Sequence, residues 1–364
     1  MTMGDQRVLV YQLGSIGDTV VSLPALRAVR RHFDPIVHIA LLHETRANPE
    51  TTPRDLLWTG SEVGSFIGYP SQVGLMRKVS GAISLWNCLR AQGFSAVIYL
   101  APSQRSPAQV LRDREFFEVC GIRRRLAFYA FDDAALHPQE VDGHPARVRH
   151  EALWRLERLR QDGIDVSVES NLDRPFLVPP PHELDNALLW LGQCRHWPAR
   201  SLVAICPGAK QPTNLWPLDR FEEIGRRLLR QEAVELIVVG GKAERAIGAR
   251  MVEVWGTGLN AAGEFSVLGS AALLGQCAFV IGLDTGTTHL AAAQGIPCVA
   301  LYGERENPGR WEPLGQKHIV VRHRVLCAGC RIENASCPVK DHPCMTGITV
   351  DVVWQAVQQM LSRL

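Results

Sequence analysis

The chain lacks an apolar run long enough to span a bilayer. Its first, Val8 to Leu13, ends after six residues at Gly14, far short of the roughly 20 residues a transmembrane helix needs and of a secretory leader's core. The longest apolar-leaning stretch, Thr285 to Tyr302, holds His289, Gln294 and Pro297 and reads as a helix followed by a buried strand. A cytoplasmic protein is the expectation. Charge of one sign is missing too: 39 basic residues face 37 acidic ones, and a cut at residue 180 leaves one basic residue in excess on either side. Neither half has the basic surplus of a nucleic-acid-binding module. At 46% apolar and 21% charged residues the chain has the makeup of a folded globular protein, which excludes extended disorder. No internal repeat is visible. What 364 residues do provide is chain for about two domains.

Both halves read as strands alternating with helices. Val8 to Leu13 suits a buried parallel strand, followed by the loop Gly14-Ser15-Ile16-Gly17-Asp18. The helix predicted from Thr19 to Phe33 sets Val20, Leu23, Leu26 and Val29 near one face. A strand from Ile36 to Leu42, a helix from Ile83 to Gln92, a strand from Ala96 to Leu100 and a helix from Pro107 to Cys120 complete the first series. Residues 43–80 and 121–145 read as irregular. Val178-Pro179-Pro180-Pro181 is stiff, cannot enter a sheet and reads as a linker. Beyond it, strands at Leu202–Cys206, Leu236–Val239, Phe279–Gly282 and Cys298–Tyr302 alternate with helices at Leu218–Arg230, Glu244–Trp255, Val267–Cys277 and Thr288–Gln294. Such alternation predicts an α/β fold with two Rossmann-like domains facing each other across a ligand cleft. Residues 1–180 form the first domain and 181–345 the second. The last helix, within 346–364, is expected to pack back on the first.

In an open α/β sheet, ligands bind at the carboxyl ends of the strands, where helix N-termini point. Three loops with suggestive chemistry fall there. In the first, Gly14 and Gly17 let a ligand approach the backbone, and two readings of Asp18 stand: an N-cap, or a general base taking a proton from an attacking hydroxyl. The second, Pro207-Gly208-Ala209-Lys210, continues through Asn214 and Trp216-Pro217 into a helix and is suited to phosphate through its amides and lysine. The third is Asp284-Thr285-Gly286-Thr287-Thr288-His289. Its amides and threonine hydroxyls can donate to phosphate oxygens at a helix start, while Asp284 either caps the helix or holds a sugar hydroxyl. Glu244, after Gly240-Gly241, is either a ribose-binding carboxylate or a helix-start one. A dinucleotide-dependent oxidoreductase is disfavoured, because Asp18 directly follows Gly17 and the third glycine of that fingerprint is missing.

These residues resemble a known family. The opening Leu13-Gly14-Ser15-Ile16-Gly17-Asp18-Thr19-Val20, then Leu23-Pro24-Ala25-Leu26-Arg27, looks like the start of the lipopolysaccharide heptosyltransferases, glycosyltransferase family 9. So does the ordered set Pro207-Gly208-Ala209, Trp216-Pro217, Gly240-Gly241 with Glu244, Asp284 to Ala293, Gly295-Ile296-Pro297 and Leu301-Tyr302-Gly303. The resemblance covers about the first 45 residues and most of the chain after 200. It implies a metal-independent, inverting GT-B glycosyltransferase of lipopolysaccharide biosynthesis, with ADP-heptose as donor and a lipid-linked glycan as acceptor. No catalytic cofactor is implied. The catalytic carboxylate matches Asp18, with Gly14, Ser15 and Gly17 in the acceptor-side loop. On the donor side, the pyrophosphate loop matches Thr285, Gly286, Thr287 and Thr288, beside His289. The ribose carboxylate matches Glu244 and the sugar-contacting aspartate Asp284, with Gly208 and Lys210 in the preceding loop. One departure is plain: the family's lysine two residues before Trp-Pro is Asn214 here. That keeps open a transferase using another nucleotide sugar, and a non-catalytic nucleotide-sugar-binding protein.

Six of the ten cysteines are scattered in apolar segments, like free thiols of a reducing compartment. The other four, Cys327, Cys330, Cys337 and Cys344, lie in one short stretch. A structural zinc or iron site, a disulfide or redox arrangement, and unliganded thiols are the three readings. The densest basic features are Arg123-Arg124-Arg125 and the run Arg147, Arg149, Arg155, Arg158 and Arg160, the latter interleaved with Glu151 and Glu157. They read as solvated faces. The alternative is contact with phosphates of a lipid-linked acceptor or with the anionic inner membrane.

Overall fold

The computed structural model describes residues 7–364 apart from 34, 46–50, 58–61, 71–74, 141, 169–173, 232 and 333–336. The chain divides into two compact units: Met1–Leu136 with Arg149–Asn171, and His137–Val148 with Leu172–Leu364.

In the first unit the elements run β1 (Arg7–Gln12), α1 (Ile16–His32), β2 (His38–Thr45), β3 (Ser65–Pro70), α2 (Leu75–Gln92), β4 (Ala96–Tyr99), α3 (Pro107–Val119), β5 (Arg124–Leu126), α4 (Asp133–Leu136) and α5 (Glu151–Gln161). The strands form one sheet in the order β3-β2-β1-β4-β5, parallel throughout. β1 is central, with Val8, Leu9 and Val10 fully buried. An apolar run buried on both faces forms such a strand because side chains alternate sides and each side meets helices. β3 and β5 lie in stretches that read as irregular; both are edge strands, where burial on two faces is not demanded and the pattern is weak.

The second unit runs α6 (Pro181–Cys194), β6 (Ser201–Cys206), α7 (Leu218–Leu229), β7 (Val234–Val238), α8 (Arg245–Trp255), β8 (Leu259–Asn260), α9 (Val267–Leu274), β9 (Phe279–Leu283), α10 (Gly286–Ala293), β10 (Cys298–Leu301), β11 (Ile319–Val321), α11 (Pro343–Thr346) and α12 (Val350–Leu361). Its sheet has the order β11-β10-β9-β6-β7-β8, again parallel. Its core joins Val203, Ile205, Leu236 and Ile281 to Phe221 and Ile224 of α7 and Met251 of α8.

Three expectations about chain partition are corrected. The proline run is not a free linker. Pro181 opens α6, the first helical position where a missing N–H costs nothing, and the amides of Phe176 and Leu177 already bond Ala293 O at 2.8 and 3.1 Å. The boundary thus falls before residue 180. Residues 137–148 also belong to the second unit: Val148 N–H donates to Pro308 O, and the Asn307 amide donates to the carbonyls of Pro138 and Ala146. Finally, α12 does not return to the first unit. Its Val353, Val357 and Met360 lie in the second unit's own core, and Trp216 and Arg220 bind the carbonyl of Ile348 just before it.

α7 and α8 meet where Gly225 leaves room for the indole of Trp255; a Cβ there would lie 2.3 Å from the ring. The ring is fixed by its N–H bond to Glu222 O, so it cannot swing away. Gly225→Ala is expected to lower stability by about 1–3 kcal/mol through overpacking, outweighing the roughly 1 kcal/mol that alanine gains in a helix. Chemical denaturation of the two proteins measures the difference.

Candidate active site

All the strands of each sheet are parallel, so each unit presents its strand-to-helix turns at one edge. In the first unit the turn after β1 is tight. Gly14 has φ +112°, and a Cβ on it would sit 2.2 Å from the Asp18 carboxyl carbon. The position needs glycine twice: for its backbone conformation and to seat that carboxylate.

Ser15, not Asp18, is the N-cap of α1. Asp18 stands three residues on and reaches back, its Oδ2 accepting from Ser15 N–H at 2.8 Å and Ser15 O–H at 3.1 Å. The other carboxylate oxygen faces Arg155, 3.6 Å from Nη2. The Asp18 side chain keeps 19% of its surface exposed, enough for a ligand to touch it. Burial pushes its carboxyl above the ordinary aspartate range, and Glu151 adds to the rise. Arg155 and the two bonds from Ser15 oppose it.

Arg155 and Arg158 correct the reading of α5 as a solvated face: both guanidiniums are fully buried. Arg155 donates through Nη1 to Asp18 O at 2.7 Å and to Ser22 Oγ, and through Nε to Glu151 Oε1 at 3.3 Å. Glu151, buried as completely, is held by Ser103 N–H at 2.8 Å and Ser103 O–H at 2.6 Å. Arg158 donates to the carbonyls of Tyr129 and Ala101. The i, i+4 spacing of Glu151 and Arg155 was legible as a charge pair, but a pair on a helix says nothing of which way it faces. Beside this turn, a cavity of about 400 Å³ opens at the carboxyl ends of β1, β2 and β3, lined by Tyr11, Tyr69, Glu44, Arg105, Asp113 and Phe116 among others. Its Asp113 carboxylate already accepts from Tyr99, Arg105 and Arg112.

The second unit gathers the other predicted residues. Glu244 lies over the turns after β6 and β7: a Cβ on Gly208 would meet its side chain at 2.5 Å and one on Gly240 at 2.8 Å, and its Oε2 accepts from Gly241 N–H at 2.7 Å. Two glycines and a carboxylate therefore form one surface. Asn214 is buried and its amide points at Asp284, 3.4 Å from both the backbone and a side-chain oxygen. After Asp284, α10 starts two residues earlier than predicted, with Thr285 as N-cap. The Thr285 and Thr287 hydroxyls lie 2.8 Å apart, part-exposed at the helix start. The Thr288 hydroxyl is different. It is fully buried and donates to Leu283 O at 2.7 Å, so it is unavailable as the phosphate donor expected of it. His289 is also buried, at 5% exposure. Lys210 is exposed.

All ten cysteines are free thiols in this structure. Cys327 and Cys330 are exposed, Cys337 and Cys344 partly buried. Burial raises the Cys344 thiol, a backbone bond with Glu304 opposes the rise, and Cys327, Cys330 and Cys337 add to it. Among the described residues, however, no group of three or more His, Cys, Asp or Glu is arranged to hold a metal ion. The loop is instead pinned by backbone bonds from Gly329 to Glu304 and from Arg331 to Arg305. Among the described residues no helix is long and apolar enough to cross a membrane.

Residues 176–339 match the profile of glycosyltransferase family 9 (heptosyltransferase). Lipopolysaccharide heptosyltransferase 2 of Salmonella typhimurium is 26% identical over 172 residues, which is 45% of this chain and 48% of that protein. The chain thus spans about half the length of the curated relative it matches. Among solved structures, a glycosyl transferase family 9 protein of Veillonella parvula aligns over 100% of this chain and 99% of its own, with a TM-score of 0.73 at 19% identity. The ADP-heptose lps heptosyltransferase II of Escherichia coli aligns over 98% and 99%, with a TM-score of 0.66 at 19% identity. The fold is therefore the GT-B type, with two parallel-sheet α/β units.

The turn before α1 yields its own prediction. Gly14→Ala imposes a positive φ on a side chain and drives a methyl into the Asp18 carboxylate, at an expected cost of at least roughly 1–3 kcal/mol. Urea denaturation reads it; a stability unchanged within error would contradict this geometry.

Proposed function

We propose that this chain, whose residues 176–339 match the glycosyltransferase family 9 (heptosyltransferase) profile, moves a heptose from ADP-heptose to a lipid-linked glycan acceptor of lipopolysaccharide core assembly, with inversion at the anomeric carbon and Asp18 as general base. In this reading an acceptor hydroxyl attacks the anomeric carbon in line with the leaving group. The new C–O bond forms as the bond to the diphosphate oxygen breaks, the hydroxyl proton passes to Asp18, and ADP departs. The observation that carries it is Asp18 itself: a carboxylate with one oxygen fixed by Ser15 and the other beside Arg155, partly exposed at the carboxyl edge of a sheet. A base must be oriented and within reach of its proton, and its basicity must be raised towards working pH. The bonds from Ser15 orient Asp18, its part exposure leaves it accessible, and burial raises its basicity.

The second unit supplies the donor side. The start of α10, with Thr285, Gly286 and Thr287, offers amides and hydroxyls to the diphosphate, where the helix end favours negative charge. Lys210 adds a cation against the charge that develops on the leaving group. Glu244, half-buried against Gly208 and Gly240, suits the ribose hydroxyls. Asp284 suits a sugar hydroxyl. The cavity between β1, β2 and β3, rich in tyrosine hydroxyls and aromatic faces, is suited to a sugar ring of the acceptor. Work on a lipid-linked acceptor would place the protein at the inner face of the membrane, in peripheral contact.

A second reading, transfer from another nucleotide sugar, is favoured by one observation. Asn214 puts a neutral amide beside Asp284 where the family's lysine would put a cation. Incubating the protein with ADP-heptose and with a panel of UDP-sugars, while measuring ADP and UDP release, separates the two. Asp18→Asn is expected to lower acceptor-dependent ADP release by 10² to 10⁴-fold, the usual contribution of a general base. Retained turnover would end the assignment, and binding without turnover on any acceptor would point to a non-catalytic binding protein.

The pH profile follows from the same carboxylate. Asp18 works deprotonated, so kcat/KM rises with pH through its pKa and falls as pH drops below it. Because burial raises that pKa, the acid limb is expected above the ordinary aspartate value of about 3.9. A limb at or below that value contradicts the assignment.

The four-cysteine loop stays outside this chemistry. A structural zinc or iron is proposed there on the sequence spacing alone, a Cys-x2-Cys pair with two further cysteines close behind it. Elemental analysis of protein purified without chelator is expected to find one ion per chain, and ion-free folded protein removes the proposal.

A further inference from the structure

We infer that Arg155, oriented by Glu151, is a positioning residue that fixes the orientation and charge state of the Asp18 carboxylate. The inference rests on the reading of Asp18 as general base, but the contacts that carry it are independent of any substrate. A guanidinium with no exposed surface persists inside a protein only when its charge and its donors are matched. Arg155 gives Nε to Glu151 and turns both terminal nitrogens towards the start of α1. Nη1 holds the Asp18 carbonyl and the Ser22 hydroxyl, and Ser22 itself donates to the same Asp18 carbonyl at 2.8 Å. Nη2 lies 3.6 Å from the Asp18 carboxylate. Had α5 merely needed fastening to α1, the two backbone-side contacts would serve; the approach of Nη2 to the carboxylate adds charge where the base must work.

Glu151 makes this a set of opposed influences. The charged groups acting on the Asp18 carboxylate are Arg155 and Glu151, both on α5, alongside the N–H and O–H of Ser15. Glu151 is immobilised by two bonds from Ser103 and by Arg155, so its negative charge cannot turn away. Arg155 therefore stands between two carboxylates, one fixed and one functional. It draws Asp18 towards the ionised form, while Glu151 and burial draw it towards the protonated one. These opposed influences set how readily the carboxylate takes up a proton, the property a general base depends on.

The test reads the carboxylate directly in the full-length protein. The side-chain carboxyls of aspartate are labelled with ¹³C, the Asp18 resonance is assigned by its loss in Asp18→Asn, and its titration is followed by NMR. Arg155→Met is expected to raise the midpoint by at least one pH unit, a tenfold change in acidity. Glu151→Gln is expected to lower it, and Arg155→Lys to recover more than half of the Arg155→Met shift. Should Arg155→Met fail to fold by circular dichroism, Glu151→Gln and Arg155→Lys carry the test, because both keep a cation at the site. A folded Glu151→Gln protein with an unmoved midpoint overturns the inference, as does an Arg155→Met protein that titrates like the parent. Turnover retained in Asp18→Asn would instead remove the general-base reading, whatever the titration shows.

Discussion

Parallel strands can be joined only by a crossover, so every strand-to-helix turn of such a sheet emerges at the same edge. Both units of this protein are built under that constraint. In the first, it brings the turn after β1 beside the cavity lined from β1, β2 and β3. In the second, it brings Gly208 after β6, Gly240 and Gly241 after β7 and Asp284 after β9 onto one edge, although they are up to 76 residues apart in sequence. The chemistry assigned to each unit depends on that convergence, and the helices starting there add their N-termini to it.

Within this frame, the buried charges of α5 do more than pack. Arg155 and Glu151 together occupy interior volume that apolar side chains could fill, and buried ion pairs commonly give little net stability over such replacements. Arg155 reaches Asp18 and Ser22 in the first two turns of α1, while Glu151 is held by Ser103. The direction of Arg155, towards the Asp18 carboxylate, is what distinguishes this pair from simple packing. The position of Ser15 fits the same logic: it caps the helix, leaving Asp18 one constrained oxygen and one beside a cation.

Much of the candidate site was legible because its local rules are strong. A strand, a glycine and a short polar loop before a helix mark a ligand edge wherever they occur in an α/β chain. The glycines at 208 and 240 proved to face the carboxylate predicted to share their site, at Glu244. Other readings failed for reasons that distance along the chain cannot reveal. Thr288 sits in the predicted loop, yet its hydroxyl turns inward to Leu283 O. Arg155 and Arg158 look like surface charges in sequence and are among the largest fully buried side chains. The proline run resembles a linker because prolines resist sheets, while the same fixed backbone is well suited to start α6.

The order of strands and helices around Asp18, Glu244 and Asp284, and the loops that hold them, followed from hydrophobic runs and turn residues, since these act between near neighbours. Which unit owns residues 137–148, where α12 packs, which threonine hydroxyl is spent on the backbone and which arginine sits beside Asp18 were decided by the tertiary structure alone. Each depends on partners far away in the chain, such as Asn307 for the first of these and Ser22 for the last. Their contacts exist only once the sheets have formed, so no window of sequence contains them.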